Sequence, residues 1–220
     1  MAEINDQNLA DGRSERERML AGELYNAGDP ELAALRDKVH ELCRQYNALP
    51  ETARQEREAI MKELVPDMGT ESEILGPVFF DYGIHTTIGS RVFANFNFSV
   101  LDVCPVTIGD NVMMGPNVSL MTPLHPLCFE DRNLRNSASG EPFDYEYGAP
   151  ITIGSNCWLA ANVTVVGGVT IGEGSVIGAG SVVTHDIPAH TLAYGTPCKP
   201  IRQITEADRM TMPTRVPEAK

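Results

Sequence analysis

Positive charge is scarce in this chain: 17 Lys and Arg face 30 Asp and Glu, leaving a formal net charge of −13. Binding a phosphate backbone needs a basic field, so a nucleic-acid groove is excluded, and a smaller anionic ligand must be met by cations gathered locally. Long apolar runs are missing too. None is long enough to cross a bilayer, and the opening run MAEINDQNLADGRSERERM is too polar for a secretory signal. A cytoplasmic protein with no membrane partner is therefore expected. Cysteine is sparse and unpatterned: Cys43, Cys104, Cys128, Cys157 and Cys198 form an odd set with no CxxC spacing. Such a set reads as free thiols in a reducing compartment. The length of 220 residues fits one domain with an appendage.

What the chain has instead is a beat of six. Ile153, Leu159, Val165, Ile171, Ile177, Val183 and Ala189 recur at that step. Four residues after the first six of them stand Cys157, Val163, Val169, Ser175, Ser181 and Ile187, all small or apolar. Two columns in phase are hard to obtain from an ordinary strand or helix pattern. Self-similarity at so short a period means stacked units, none able to bury its apolar face alone, and hexapeptide units are the signature of a parallel β-helix. The phase is present upstream in Ile88 with Val92, Ala94 with Phe98 and Val100 with Cys104. It resumes two residues late at Ile108 with Val112 and Met114 with Val118, where Pro105 marks a bulge. Between Leu120 and Ile153 the beat is lost, and an excursion of that length is functional or disordered.

The N-terminal part keeps a helical period. Ser14 to Glu17 is a capping-box pattern that opens a short helix through Met19, Leu20 and Leu24. Asp29 followed by Pro30 starts a second helix, with Leu32, Leu35, Val39, Leu42 and Tyr46 on one face. Thr52 to Gln55 repeats the capping pattern ahead of Ala59, Ile60 and Leu64. Such helices cover the open end of a solenoid, whose first strands would otherwise be unpaired edges. At the far end Pro188, Pro197 and Pro200 close the repeat, and the tail after Ile204 is a short helix or frays.

MLAGELYN at 19–26, FDYGIHTTIG at 80–89, FANFNFSVLDVCPVTIGDNV at 93–112, the His-Pro pair at 125–126 and GTPCKPIR at 195–202 resemble the maltose, galactoside and nodulation O-acetyltransferases of the hexapeptide-repeat family. The resemblance implies a mainly β fold: a left-handed parallel β-helix, each turn a triangle of three short strands, with an N-terminal α-helical cap. Its handedness breaks the usual crossover rule and comes from the resemblance alone. The expected organisation is a cap over 1–66, a β-helix over 67–203 with a protruding loop at 122–150, and a C-terminal tail over 204–220. Three hexapeptides per turn would stack Ile153, Ile171 and Ala189 on one edge, Leu159 and Ile177 on the second, and Val165 and Val183 on the third. Gly178 and Gly180 would let a ligand approach the backbone.

The implied reaction moves an acetyl group from acetyl-CoA to a hydroxyl of a mono- or disaccharide, with no metal required. A sugar alcohol needs a positioned base as it attacks a thioester. By resemblance that base is His125, in the loop immediately before a proline. Neutral His125 would take the hydroxyl proton and later return it to the departing thiolate, with no acyl-enzyme. The oxyanion would be met by the backbone N–H of Ala161, just after Trp158, whose ring would line the CoA arm. Lys199 and Arg202 would hold the nucleotide phosphates, together with Ala179, Thr184 and His185. The family usually has Arg where Lys199 stands and Lys where His185 stands, so phosphate contact would be less bidentate here. Asn95 would orient substrate and coenzyme, Asp81 and Asp102 would accept from sugar hydroxyls, and Asp29 lies closest to a further acceptor-binding acid. The family forms homotrimers with active sites between subunits.

Blander roles stand beside these. Asn95 and Asp102 fit turn corners, Lys199 and Arg202 fit the capping of the last carbonyls, and Asp29 fits an N-cap. The aromatics of the excursion, Phe129, Phe143, Tyr145 and Tyr147, either stack on an acceptor ring or dock the loop. Three other functions compete: an acetyltransferase for serine or a xenobiotic, a catalytically silent scaffold, and a zinc carbonic anhydrase built on His185 and His190 with His85 or His125.

Overall fold

The computed structural model describes residues 12–136, 140 and 142–210. The start of the expected cap (1–11), part of the loop (137–139 and 141) and the end of the tail (211–220) lie outside them. From Met68 to Gly195 the chain winds as a parallel coil whose turns lay strands on three sheets. The first sheet holds Thr86–Ile88, Val106–Ile108, Ile151–Ile153 and Thr170–Ile171. The second holds Glu73–Ile74, Phe93–Ala94, Met113–Met114, Trp158–Leu159, Val176–Ile177 and Thr191–Gly195. The third holds Val78–Phe80, Phe98–Leu101, Ser119–Met121, Thr164–Val166 and Val182–Val183.

The inward member of each strand stacks on its counterpart one turn away. Ile88, Ile108, Ile153 and Ile171 form one column, Ala94, Met114, Leu159 and Ile177 the second, Val100, Leu120, Val165 and Val183 the third. All are buried. Because each packs against neighbours above, below and across, truncating one of the Ile, Leu or Met members to Ala costs about 2–5 kcal/mol. The corners between sheets need left-handed backbone. Asn97, Asn117 and Asn162 supply it at φ +60°, and their amides form a ladder, Asn97 donating to Asn117 at 2.8 Å and Asn117 to Asn162 at 2.9 Å. Asn tolerates this region and satisfies itself there with its own side chain.

Within a turn the step is always six, and the departures fall at one corner, between the third and first sheets. The interval there is eight from Phe80 to Ile88 and from Val100 to Ile108, thirty-three from Leu120 to Ile153, and four from Val183 to Ile187. The extra residues marked by Pro105 therefore widen a corner instead of bulging a strand. The last interval also corrects the expected stack: Ile187, not Ala189, lies against Ile171, and Ala189 is exposed. The corner tightens because the Asp186 carboxylate accepts from the Thr170 N–H at 2.7 Å, standing in for a longer stretch of backbone.

The helices close one end. Helix α1 (Glu15–Leu20) carries the full capping box on Ser14 and Glu17. It stops before Leu24 because Gly22 turns left-handed at φ +74°. Helix α2 (Pro30–Ala48) starts at Asp29, whose carboxylate accepts from the N–H groups of Glu31 and Leu32. Helix α3 (Arg54–Leu64) has Ala53 as its N-cap, with no side-chain bond, so Thr52 does not cap it. From α2 the Tyr46 hydroxyl donates to the Ile74 carbonyl, and Asn47 exchanges two hydrogen bonds with Val78. The first strands thus find partners they would otherwise lack. At the other end Cys198–Gln203 folds back antiparallel on Thr191–Gly195, followed by a 3-10 turn, Glu206–Asp208. Among the described residues no helix is long and apolar enough to cross a membrane, and all five thiols are free, with Cys128 the exposed one.

Candidate active site

His125 hangs from the wide corner. It follows the strand Pro123–Leu124, which pairs antiparallel with Tyr145–Gly148, and that strand pairs on its other side with Tyr25–Asn26. The excursion between Leu120 and Ile153 is therefore folded back into a small sheet with a strand from the N-terminal segment. The imidazole is 47% exposed, and its Nε2 stands 3.8 Å from Oε2 of Glu146. The other carboxylate oxygen of Glu146 accepts from the Tyr25 hydroxyl. Tyr25 is fully buried, and burial together with the Glu146 charge drives its hydroxyl pKa far above the ordinary value. It is a fixed proton donor.

The other expected residues fall in three places. Asn95, Ala161 and Ala179 line the edge between the second and third sheets, with Trp158 facing outward beside it, 51% exposed. The carbonyl oxygen of the Asn95 side chain accepts from the Phe96 N–H at 2.7 Å. Among the described residues the Ala161 N–H donates to no backbone carbonyl. Gly180, at φ +71°, is open on its Cβ side, whereas the space over Gly178 is filled by Tyr194 at 2.7 Å.

Thr184 and His185 sit at the edge where the excursion leaves, joined by a 2.9 Å contact between Oγ1 and Nδ1. Lys199 and Arg202 are exposed on the terminal hairpin. Arg202 makes a two-pronged pair with Asp208 at 2.7 and 2.9 Å, which holds the Asp208 carboxyl at about 2.

The acids separate by burial. Asp102 is fully buried, one oxygen accepting from the Tyr82 N–H and the other from the Thr86 hydroxyl, both within 2.9 Å. It braces the corner from inside and presents no oxygen to a sugar, against the expectation from its sequence position. Asp29 is occupied as the N-cap of α2. Asp81 does reach a cavity, of about 610 Å³, between α2 and the strand Val78–Phe80, where His40, Asn47 and Phe79 also face. Burial and the Asp102 charge raise its pKa, while His40, 3.6 Å away, opposes that shift. Among the described residues no three His, Cys, Asp or Glu side chains gather as metal ligands.

Three residues in contact with the candidate groups or their partners were not visible in the sequence: Glu146, Tyr25 and His40. Each reaches its partner through long-range packing, with Tyr25 and Glu146 separated by 121 positions. A Glu one residue off the register of Leu124 carries no local signal.

Comparison with known proteins gives the family. Residues 18–69 match the maltose acetyltransferase hexapeptide capping motif, and residues 150–185 match the bacterial transferase hexapeptide model of six repeats. The galactoside O-acetyltransferase of Escherichia coli is 39% identical over 193 residues, covering 88% of this chain and 91% of that protein. Nodulation protein L of Rhizobium meliloti is 36% identical, covering 85% and 97%. The crystal structure of a maltose O-acetyltransferase from Clostridium difficile superposes with a TM-score of 0.82 at 41% identity, covering 88% of this chain and 99% of that one. The chain belongs to the hexapeptide-repeat O-acetyltransferases. A galactoside acetyltransferase solved with coenzyme A has the same fold, with a TM-score of 0.81 at 38% identity over 89% of this chain and 94% of that one.

In this hexapeptide-repeat O-acetyltransferase the candidate groups stand on two different edges of one triangular coil. The amide of Ala161, the NH₂ of Asn95 and the Trp158 ring follow one edge. His125, Glu146, Thr184 and His185 follow another.

Proposed function

We propose that the protein transfers an acetyl group from acetyl-CoA to a hydroxyl of a mono- or disaccharide of the maltose, glucose or galactoside type, by direct attack with His125 as general base. The observation that carries this reading is the exposed imidazole held opposite a half-buried carboxylate. As His125 takes the hydroxyl proton it becomes an imidazolium, and Glu146 is the nearby negative charge that favours this form. The alkoxide character passes to the thioester carbonyl, and the unpartnered Ala161 N–H suits the oxyanion that results. The imidazolium then returns its proton to the departing CoA thiolate.

The co-substrate is strongly anionic and the chain is not basic, so CoA binding must rest on few groups. Lys199 and Arg202, exposed together on the last hairpin, fit its phosphates; Trp158 and the open face at Gly180 fit its pantetheine arm. Thr184, His185 and Ala179 complete the path. For the acceptor, the cavity at Asp81 combines a carboxylate with the flat side of Phe79, the pairing that carbohydrate rings need. Because the two sets of residues occupy different edges, a site that uses both draws them from two copies, which supports a homotrimer with active sites between subunits. The cap over 1–66, the coil over 67–203 and the tail over 204–220 remain the organisation we assign, in a cytoplasmic enzyme.

Thiol release from acetyl-CoA with maltose, glucose, galactosides, serine or no acceptor tests the reading. We expect sugar-dependent release and a loss of about 10²–10⁴-fold in His125→Ala. Equal rates for wild type and His125→Ala across the panel would overturn the mechanism, and release with serine alone would overturn the substrate class.

A further inference from the structure

We infer that Tyr25 is a positioning residue for the base, acting through Glu146. The inference rests on the role of His125 argued above. Its ground is a register. Tyr25 is directly opposite Glu146 in one antiparallel pair, and Leu124 is directly opposite Tyr147 in the other. Continuing the second pair by one residue sets His125 opposite Glu146. Residues directly opposite across antiparallel strands project to the same face. Tyr25, Glu146 and His125 therefore form one cross-strand row, with Glu146 in the middle.

The middle carboxylate is shared between the two ends. Oε1 accepts from the Tyr25 hydroxyl and Oε2 looks toward His125 Nε2. A carboxylate attached to a strand by its flexible stem samples several rotamers. One strong donor on one oxygen selects a rotamer and thereby aims the other oxygen. Tyr25 is suited to that task because it is completely buried and cannot itself swing. The groups packed around it fix its chemistry as well. The Tyr82 ring and the Arg36 guanidinium lie close by, Arg36 donating to the Tyr82 hydroxyl at 2.8 Å and to the Ala27 carbonyl at 2.8 Å. Burial and the charges of Asp81 and Glu146 all act to raise the Tyr82 hydroxyl pKa. Burial and the Glu146 charge outweigh the one nearby cation, so the Tyr25 hydroxyl keeps its proton at every pH at which the enzyme works. Its backbone is anchored too: the neighbouring Asn26 N–H donates to the Glu15 carboxylate of α1. The N-terminal helix is thus tied to the catalytic loop through a two-residue strand.

The test compares Tyr25→Phe, Glu146→Gln and the double variant with wild type, by steady-state kinetics and by thermal melting. Tyr25→Phe removes the hydroxyl and keeps the ring. We expect kcat to fall about tenfold, the loss of one hydrogen bond to a charged group. The KM for acetyl-CoA should stay unchanged. In both single variants the loss should fall on kcat, the mark of an interaction made at the base and not at the CoA site. The double variant should be no slower than Glu146→Gln alone, because Tyr25 has no second route to the base. A Tyr25→Phe enzyme with wild-type kcat sinks the inference, as does a double variant whose losses multiply. If Tyr25→Phe fails to fold, Glu146→Gln decides: wild-type kcat in Glu146→Gln removes the route through which Tyr25 acts. Failure of the underlying reading is separate, since it appears as activity retained in His125→Ala.

Discussion

His85 shares the irregular corner with His125 but is a different kind of histidine. Its Nδ1 lies 2.9 Å from the Asp102 carbonyl oxygen, its ring leans on Tyr82 at 5.0 Å between centroids, and its Nε2 is buried with no partner among the described residues. Nδ1 therefore carries the proton and donates it, and Nε2 is left bare. Burial pushes its pKa below the ordinary 6.5, with Asp102 opposing and Arg16 adding to the fall. In the window between the folded and unfolded values the native state binds fewer protons than the unfolded chain. Stability is then full above that window and lost as pH falls through it. Urea midpoints measured from about pH 7.5 to about pH 5.5 should decline in wild type. The decline should flatten in His85→Gln. The acid-side losses from Asp208 and Glu41, whose carboxyls are held at about 2 by Arg202 and Arg44, belong to much lower pH. A midpoint independent of pH in wild type would show that His85 is not buried neutral.

At the scale of elements, Asp29 separates two roles that the sequence left open. Its carboxylate accepts from the N–H groups of Glu31 and Leu32 at 3.0 and 3.3 Å, which satisfies two of the bare donors at the start of α2. If capping is its whole work, Asp29→Ala costs about 1 kcal/mol of stability. The KM for the sugar should not change, and Asp29→Ser should restore the melting temperature. A rise in the sugar KM in both variants would return Asp29 to the acceptor site.

The same element scale explains what could be read from residues alone. Ile153, Leu159, Val165, Ile171, Ile177 and Val183 announced the coil because each inward position repeats an identical environment every six residues, so composition repeats with it. The expectation failed at Ala189, where a side chain, Asp186, replaced backbone and shortened the corner by two residues. Capping signals were legible for α1, through its box, and for α2, through Asp29 and Pro30, but not for α3, which starts without a side-chain cap. His125 was found through its motif. Glu146 and Tyr25 were not, because a pairing between remote short strands has no period and no motif of its own.

At the scale of the whole molecule, the coil's geometry constrains how the site can be assembled. Sheets two and three meet along the edge that carries Asn95 and Ala161, and sheets three and one meet along the edge that carries His125. No turn of a three-sided prism brings two of its own edges together. If the reaction uses Asn95 and His125 at one acetyl group, as proposed above, the separation of the two edges favours taking them from neighbouring copies. In the three-fold ring proposed above each site would use Asn95 of one subunit and His125 of the next. Asn95→Ala and His125→Ala should each be inactive as pure proteins. Co-expressed in equal amounts, they should recover about a quarter of the wild-type rate, the chance that a site receives both intact residues in randomly mixed rings. Sites confined to single chains would stay dead in every mixture, because each chain lacks one of the two groups.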